Sequence, residues 1–226
     1  AWESLARKLA HEIKNPLTPI QLTIDKLKSK YSEKIEDHEK DDFSQSLKII
    51  GKQIKQIENL VNEFSDFARM PKPILKDNNL VSLIQDSIVL IKELDRNIAI
   101  NFKSNKTEII LNSDSEQLSR VFLNLIKNSI ESIQDKRLNN VNIYGTVDIF
   151  LNDNESDIEF LIIDNGLGFE IFADNIKNIL NPYFTTKKKG TGLGLAIVNK
   201  TINEHNGKIN FIPIDDGAKI QVIFIR

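Results

Sequence analysis

His11 stands in the stretch Leu9-Ala-His-Glu-Ile-Lys-Asn-Pro-Leu17, where an imidazole is followed at once by a carboxylate and, one helical turn on, by the Asn15 amide. On an ideal helix Leu5, Leu9, Ile13, Ile20, Ile24 and Leu27 gather within about 60° of Leu9, whereas His11 falls about 160° away, so its ring points outward. An exposed imidazole beside a carboxylate can act as a nucleophile, with Glu12 taking or holding the other ring proton. The same residues also suit a solvated histidine on a charged helix face, because short motifs match by chance.

Further clusters suit a nucleotide. In Asn124-Leu-Ile-Lys-Asn128 the two amides share a helix face, where their oxygens could hold a hard cation such as Mg²⁺ and meet phosphates, with Lys127 adding positive charge nearby. Asp164-Asn-Gly-Leu-Gly168 follows the apolar run Phe160-Leu-Ile-Ile163. A carboxylate at a strand end can accept a hydrogen bond from an adenine amino group, and Gly166 and Gly168 let backbone approach a flat ring. Gly190-Thr191-Gly192-Leu193-Gly194 opens a helix after Lys187-Lys-Lys189, so its backbone donors could cradle an anion. Its spacing fits neither a Walker loop nor the dinucleotide fingerprint. Each cluster alone also reads as something plainer: a solvated helix face, an aspartate-capped turn, a lysine-rich loop tip. His38 and His205 have no spacing that suggests metal and read as structural.

These residues need elements to hold them. Residues 1 to about 31 read as one helix that Pro16 should bend, and the acidic stretch Ser32 to Asp42 as a turn whose last acids suit a helix N-terminus. Phe43, Leu47, Ile50, Ile54, Ile57, Val61, Phe64 and Ala68 then alternate spacings of four and three, a heptad seam. Two such helices make a hairpin, and pairing two hairpins into a dimeric four-helix bundle buries what one hairpin leaves exposed. Met70-Pro-Lys-Pro73 ends the helix, dividing a hairpin at 1–70 from a linker at 71–75 and a second domain at 76–226. Within that domain the periods predict helices at Leu80–Leu94, Ser115–Gln134 and Leu193–His205. Strands are predicted at Ile98–Phe102, Glu108–Leu111, Thr146–Leu151, Ile158–Ile163, Lys208–Ile212 and Lys219–Ile225, with a short helix in the loop before the last helix. Helices and strands come in blocks, which predicts an α+β layer.

Composition narrows the classes. Thirty Lys and Arg against 32 acids, a formal charge of -2, give no footprint for direct nucleic-acid contact. The absence of cysteine excludes disulfides, thiolate metal sites and cysteine nucleophiles. No apolar run is long enough to span a bilayer, so the chain reads as a soluble portion. It starts inside a helical pattern, which suggests a fragment whose membrane link, if it has one, lies in missing N-terminal segments.

Read in order, His11-Glu12 through Asn15-Pro16, Asn124 to Asn128, Asp164 to Gly168, Pro182-Tyr-Phe-Thr-Thr186 and Gly190 to Gly194 resemble the H, N, G1, F and G2 boxes of sensor histidine kinases. The resemblance covers essentially the whole chain: a dimerisation and phosphoacceptor hairpin, then a Bergerat-type α/β-sandwich ATP-binding domain. Pro16-Leu-Thr-Pro-Ile-Gln-Leu22 and Phe64-Ser-Asp-Phe-Ala-Arg-Met-Pro-Lys-Pro73 are most similar to nitrogen-regulation kinases of the NtrY type. The resemblance implies a homodimer that uses ATP and Mg²⁺, with a response-regulator receiver domain as partner, in the cytoplasmic part of an inner-membrane sensor. It further implies that His11 attacks the γ-phosphate, Glu12 assists as base, Asn15 serves phosphatase activity, Asn128 holds Mg²⁺ and Asp164 reads adenine. Residues from about Asn181 to Gly194 would form a mobile lid anchored by Phe184, and Thr186 would lie within it. Asn124 stands where related ATPases carry a water-activating glutamate, which favours transfer over hydrolysis. Ser129 and Ser132 stand where alanine is common, and neither is expected to disturb the site. A pseudokinase scaffold and an ATPase of the same superfamily are the alternatives.

Overall fold

The computed structural model describes residues 2–68, 70–139, 143–168, 179–181, 184–185 and 191–225, without the side chains of residues 2–7, 66, 67 and 139. The chain divides into two compact units, one of residues 1–71 with Thr185–Leu193 and one of Lys72–Phe184 with Gly194–Arg226.

The first unit is built on a helical hairpin, α1 (Trp2–Tyr31) and α2 (Asp37–Ala68). Helix α1 runs without a break through Pro16 and Pro19, and the Thr23 hydroxyl donates to the Pro19 carbonyl at 2.8 Å. Helix α2 begins inside the stretch expected to be a turn, at Asp37, because Asp37 and Glu39 place negative charge in its first turn, where the dipole favours it.

Heptad spacing is present on both helices, in two columns. Ala10, Leu17 and Ile24 of α1 are buried, as are Leu47, Ile54 and Val61 of α2. Ile13, Ile20 and Leu27, with Ile50 and Ile57 across the hairpin, are exposed. Of the α1 stripe's members with described side chains, Ile24 is buried in the single chain while Leu9, Ile13, Ile20 and Leu27 are exposed, as expected of a hairpin taken alone. Ala10 is small enough to let the two helices approach closely at its level.

The second unit opens with a strand the hydropathy pattern does not show, β1 (Lys76–Asn79), followed by α3 (Leu80–Ile91) and a 3₁₀ turn at Lys92–Leu94. Then come β2 (Ile98–Ser104), β3 (Ile110–Ser113), α4 (Ser115–Asn139), β4 (Gly145–Asp153) and β5 (Asp157–Asp164). After the loop follow α5 (Gly194–Glu204), β6 (Gly207–Pro213) and β7 (Ala218–Ile225). The short helix expected before α5 would fall largely on residues outside those described. Strands β1 and β3 pair in an antiparallel ribbon, and the main sheet has the order β2-β4-β5-β7-β6, parallel only between β2 and β4. This is the expected α+β layer, a helix layer against one mixed sheet.

Period-two alternation sets which side chains face the helices. Ile158, Phe160 and Ile162 of β5 are buried beside Val147, Ile149 and Leu151 of β4 and Ile220, Val222 and Phe224 of β7. They meet Leu118, Val121, Phe122, Leu125 and Ile126 of α4 in one core, where the rings of Phe122 and Phe160 lie 5.0 Å apart. Full burial of each such side chain stabilises by about 1.5–3 kcal/mol. Among the described residues no helix is long and apolar enough to cross a membrane.

Candidate functional site

Asp164 continues the inward phase of β5, so the alternation that buries Ile162 also buries this carboxylate, which is 4% exposed. A charge there must be hydrogen-bonded to persist. Asp164 Oδ1 accepts from the Gly166 N–H at 2.9 Å, and the Ser129 hydroxyl and the Ala218 N–H lie near enough to favour the charged form. Burial pushes its pKa above the usual 3.8, against the pull of those donors and of the nearby Lys136 charge. Lys136 itself donates to the Asn165 carbonyl at 2.9 Å and pairs with Asp216.

Helix α4 is the platform on which the clusters meet. At its N-terminal side the α-carbon of Gly194 packs on Asn124, where a Cβ would stand 3.0 Å from the amide Oδ1. Further along, Ser129 lies beside Asp164. Ser132 Oγ then accepts from the Leu167 N–H at 2.9 Å and lies so close to Gly166 that a Cβ there would clash with it. From Asn124 to Ser132 the helix rises about 12 Å. The Asp-Asn-Gly-Leu-Gly loop and the start of α5 therefore lie along one face of one helix. Asn128, between them, is half-buried. The amide oxygens of Asn124 and Asn128 are neutral hard donors, which fits a Mg²⁺ that takes its remaining ligands from phosphates and water. Lys127 is exposed, 3.8 Å from Glu131 along the helix.

Gly168 and Gly192 have φ of 72° and 70°, conformations that favour glycine. Leu193 is buried, Thr191 Oγ1 accepts from the Leu193 N–H at 3.3 Å, and the Thr191 hydroxyl also hydrogen-bonds the Glu63 carboxylate within the first unit. Phe184 is half-buried, its N–H donating to the Asn181 carbonyl at 3.2 Å. Thr186 and Gly190, with Lys187 to Lys189, lie outside the described residues.

His11, Glu12 and Asn15 are all exposed on α1, and Lys8 reaches Glu12 at 4.0 Å one turn back. Of the two remaining histidines, expected to be structural, His205 is built into the fold and His38 stands on the surface. His38 is exposed, 3.5 Å from Glu36. His205 is buried, with Nε2 accepting from the Asp114 N–H at 2.9 Å and Nδ1 2.7 Å from the Thr201 carbonyl. That pairing fixes the Nδ1–H tautomer. Among the described residues no group of three His, Cys, Asp or Glu side chains converges.

Sequence reasoning passed over three contributors. Ser129 and Ser132 are expected to be neutral replacements, yet Ser132 is hydrogen-bonded to the Asp164 loop and the Ser129 hydroxyl lies beside the carboxylate and pulls its pKa down. Gly217, with φ of 98°, lets the β6–β7 turn lie directly on Asp164 and on Gly168. An Asp-Gly pair between two strand-like runs was the available signal for that turn.

Known proteins agree with this architecture. Residues 113–225 match the histidine kinase-, DNA gyrase B-, and HSP90-like ATPase family, and residues 1–73 match the His Kinase A (phospho-acceptor) domain. The chain is 37% identical over 225 residues to an NtrY-like sensor histidine kinase of Rickettsia prowazekii (strain Madrid E), covering 99% of this chain and 36% of that protein. It is 36% identical over 224 residues to the nitrogen regulation protein NtrY of Azorhizobium caulinodans, covering 98% of this chain and 28% of that protein. The chain thus spans about a third of the length of these relatives. Among solved structures, the catalytic domain of histidine kinase ThkA superposes with a TM-score of 0.59 at 28% identity, covering 67% of this chain and 95% of that one. ThkA in complex with the response regulator TrrA shares the fold, with a TM-score of 0.66 at 24% identity, covering 98% of this chain and 61% of that one.

Proposed function

This chain belongs to the histidine kinase-, DNA gyrase B-, and HSP90-like ATPase family, and from that premise we propose that it is the catalytic core of a two-component sensor kinase. It takes the γ-phosphoryl group of Mg-ATP onto His11 and passes it to an aspartate of a response-regulator receiver domain. The observation that carries this reading is the convergence of Asp164, Gly166 and Gly194 on α4, while the His11–Glu12 pair stands exposed on a separate hairpin.

The roles follow from the chemistry. Asp164 accepts from the adenine amino group, the Gly166–Gly168 backbone lies against the ring, and Asn124, Asn128, Lys127 and the Thr186 to Gly194 stretch hold the phosphates. Asn128 would hold a Mg²⁺, which when bound would supply charge neutralisation on the phosphate oxygens. A His11 ring nitrogen forms the new N–P bond as the bond from the γ-phosphorus to the bridging oxygen breaks. ADP leaves with the electron pair, and Glu12 takes the ring proton. Asn15, one turn from His11, orients water when the regulator's aspartyl phosphate is hydrolysed. The exposed column of Ile13, Ile20, Leu27, Ile50 and Ile57 is the surface for a second hairpin, which makes the active species a homodimer. Residues 71–75 form the linker that lets the ATP-binding domain, 76–226, reach its histidine. With Asn124 where a hydrolase would need a glutamate, transfer is favoured over ATP hydrolysis. The test is transfer: labelled protein, freed of nucleotide, should lose its label to an isolated response-regulator receiver domain, and label retained on the kinase or released as phosphate without passing through the receiver contradicts the reading.

A further inference from the structure

Strands β5 and β7 hold Asp164 opposite Ala218 at the end of their ladder. Beyond that pair the backbone leaves the sheet on both sides: Asn165 to Gly168 form the glycine loop, and Asp216 with Gly217 lie in the β6–β7 turn. Off the ladder, backbone groups need other partners. Lys136, in the last turn of α4, bonds to both segments. Its ammonium donates to the Asn165 carbonyl at 2.9 Å and pairs with the Asp216 carboxylate. Ser132, one helical turn earlier on the same face, accepts from the Leu167 N–H at 2.9 Å. The two segments also touch each other, since a Cβ at Gly168 would stand 2.4 Å from the Gly217 carbonyl oxygen.

We propose that Lys136 is a positioning residue for nucleotide binding, its ammonium fastening the Asp164–Gly168 loop to the β6–β7 turn so that the wall for the base is set before the nucleotide arrives. The inference rests on the reading of the Asp164 loop as the base-binding loop and adds the residue that pre-orders it. An ammonium is a compact charge with three donors, so one side chain can serve a carbonyl and a carboxylate on separate segments at once. The Lys136 side chain is 22% exposed and that of Asp216 71%. A pair so open to water adds little to global stability, so its loss should leave the domain folded. What is lost is order in the loop, which binding must then restore, and that cost falls on affinity. The loop holds the base and lies apart from His11, which is in the hairpin unit, so the phosphoryl step on bound nucleotide should be unchanged.

The experiment measures ATP affinity by titration calorimetry, and the ATP dependence of self-labelling, on the full chain and on Lys136→Met, Lys136→Arg, Asp216→Asn and Asp164→Asn. Lys136→Met should lose about tenfold in ATP affinity, the size expected for a hydrogen bond from a charged group. Its KM should rise by the same factor, with the labelling rate at saturating ATP within about twofold of the parent. Lys136→Arg keeps the charge and the donors and should recover most of the loss. Asp216→Asn should weaken binding about threefold, and combined with Lys136→Met it should add nothing, as for two members of one contact. Asp216→Asn changes an exposed side chain and carries the test if Lys136→Met fails to fold. An unchanged affinity in that variant, a saturating rate that falls as far as the affinity, or a Lys136→Arg as weak as Lys136→Met would each overturn the proposal. If Asp164→Asn binds ATP as the parent does, the reading of the loop falls and the proposal with it. If Asp164→Asn binds weakly while the Lys136 and Asp216 variants bind as the parent does, the proposal alone falls.

Discussion

The α-carbon of Gly217 lies against the backbone carbonyl of Asp164 so closely that a Cβ there would stand 1.7 Å from its oxygen. The β6–β7 turn is thereby part of the wall around the buried carboxylate, and the Ala218 N–H next to it favours the charged form.

Gly217→Ala should be damaging twice over, through a φ of 98° that costs a non-glycine residue about 1–3 kcal/mol and through the clash with Asp164. The expected outcome is a lower unfolding temperature of the ATP-binding domain and ATP affinity reduced by more than tenfold, roughly, on the scale of special-backbone losses. Gly51→Ala is the control. A Cβ at Gly51 meets nothing within 4 Å, and in a helix interior the change should stabilise by about 0.5–1 kcal/mol. Thermal unfolding and nucleotide titration of both variants check this.

Acid should weaken nucleotide binding before it unfolds the domain. Burial raises the Asp164 pKa above 3.8 despite the donors around it, and the ionised form accepts from an amino group more strongly than the protonated acid does. ATP affinity should therefore fall as pH drops through that raised value, above the range of an ordinary aspartate. For stability the sign is opposite. A raised folded pKa means that Asp164 contributes stability fully below 3.8 and loses it as pH rises through the folded value. Asp95 behaves conversely: its Gln134 hydrogen bond, with the Asn97 N–H and Arg137, lowers its pKa against desolvation, so its contribution is present above 3.8 and lost as pH falls through the lowered value. Parallel affinity and circular-dichroism titrations should show the affinity limb at the higher pH, and Asp164→Asn should flatten it. Coincident limbs contradict the assignment.

Much of this was legible in the sequence, for definite reasons. The heptad spacing of α2 announces the hairpin, and the apolar run before Asp164 announces a strand whose phase buries the next carboxylate. The buried α1 column is harder to see, because Ala10 and Leu17 do not stand out: one is small, the other adjoins Pro16, and a heptad leaves two columns to choose between. Strand β1, Lys76-Asp-Asn-Asn79, has no hydropathy signal because its order comes from elsewhere. It pairs with β3, Asn78 donates to the Ser113 carbonyl at 2.7 Å, and Asn79 caps α3 through the Val81 N–H at 3.1 Å. Ser129 and Gly217 lie against partners far away in sequence: the Asp-Gly pair could mark the turn, and no local pattern shows what that turn packs on.

The exposed heptad column predicts a dimer that one charge should break. Ile57→Lys places an ammonium in the second seam, where Ile57 is 42% exposed in the single chain. Light scattering should show a dimer for the parent and a shift to monomer for the variant, with the ATP-binding domain unfolding at its parent temperature. A parent that is monomeric at micromolar concentration rules out the bundle.

Asn15 should matter more for removing phosphate than for adding it. Its amide donates and accepts, which suits orienting a water, and its place one turn from His11 leaves Glu12 as the adjacent base. Asn15→Ala should keep substantial autophosphorylation and lose most stimulation of regulator dephosphorylation, measured as two rates on one preparation. Loss of both together, or of neither, removes that role.

The central claim is that His11 takes the phosphoryl group, and the most direct measurement is the fate of γ-labelled ATP with Mg²⁺ on the parent chain and on His11→Gln. The account predicts an acid-labile, alkali-stable label on the parent, none on His11→Gln, and ATP affinities for the two within about twofold, since His11 lies in the hairpin apart from the nucleotide's domain. Label on His11→Gln at the parent level, or γ-phosphate appearing only as free phosphate with none on the parent protein, would contradict it.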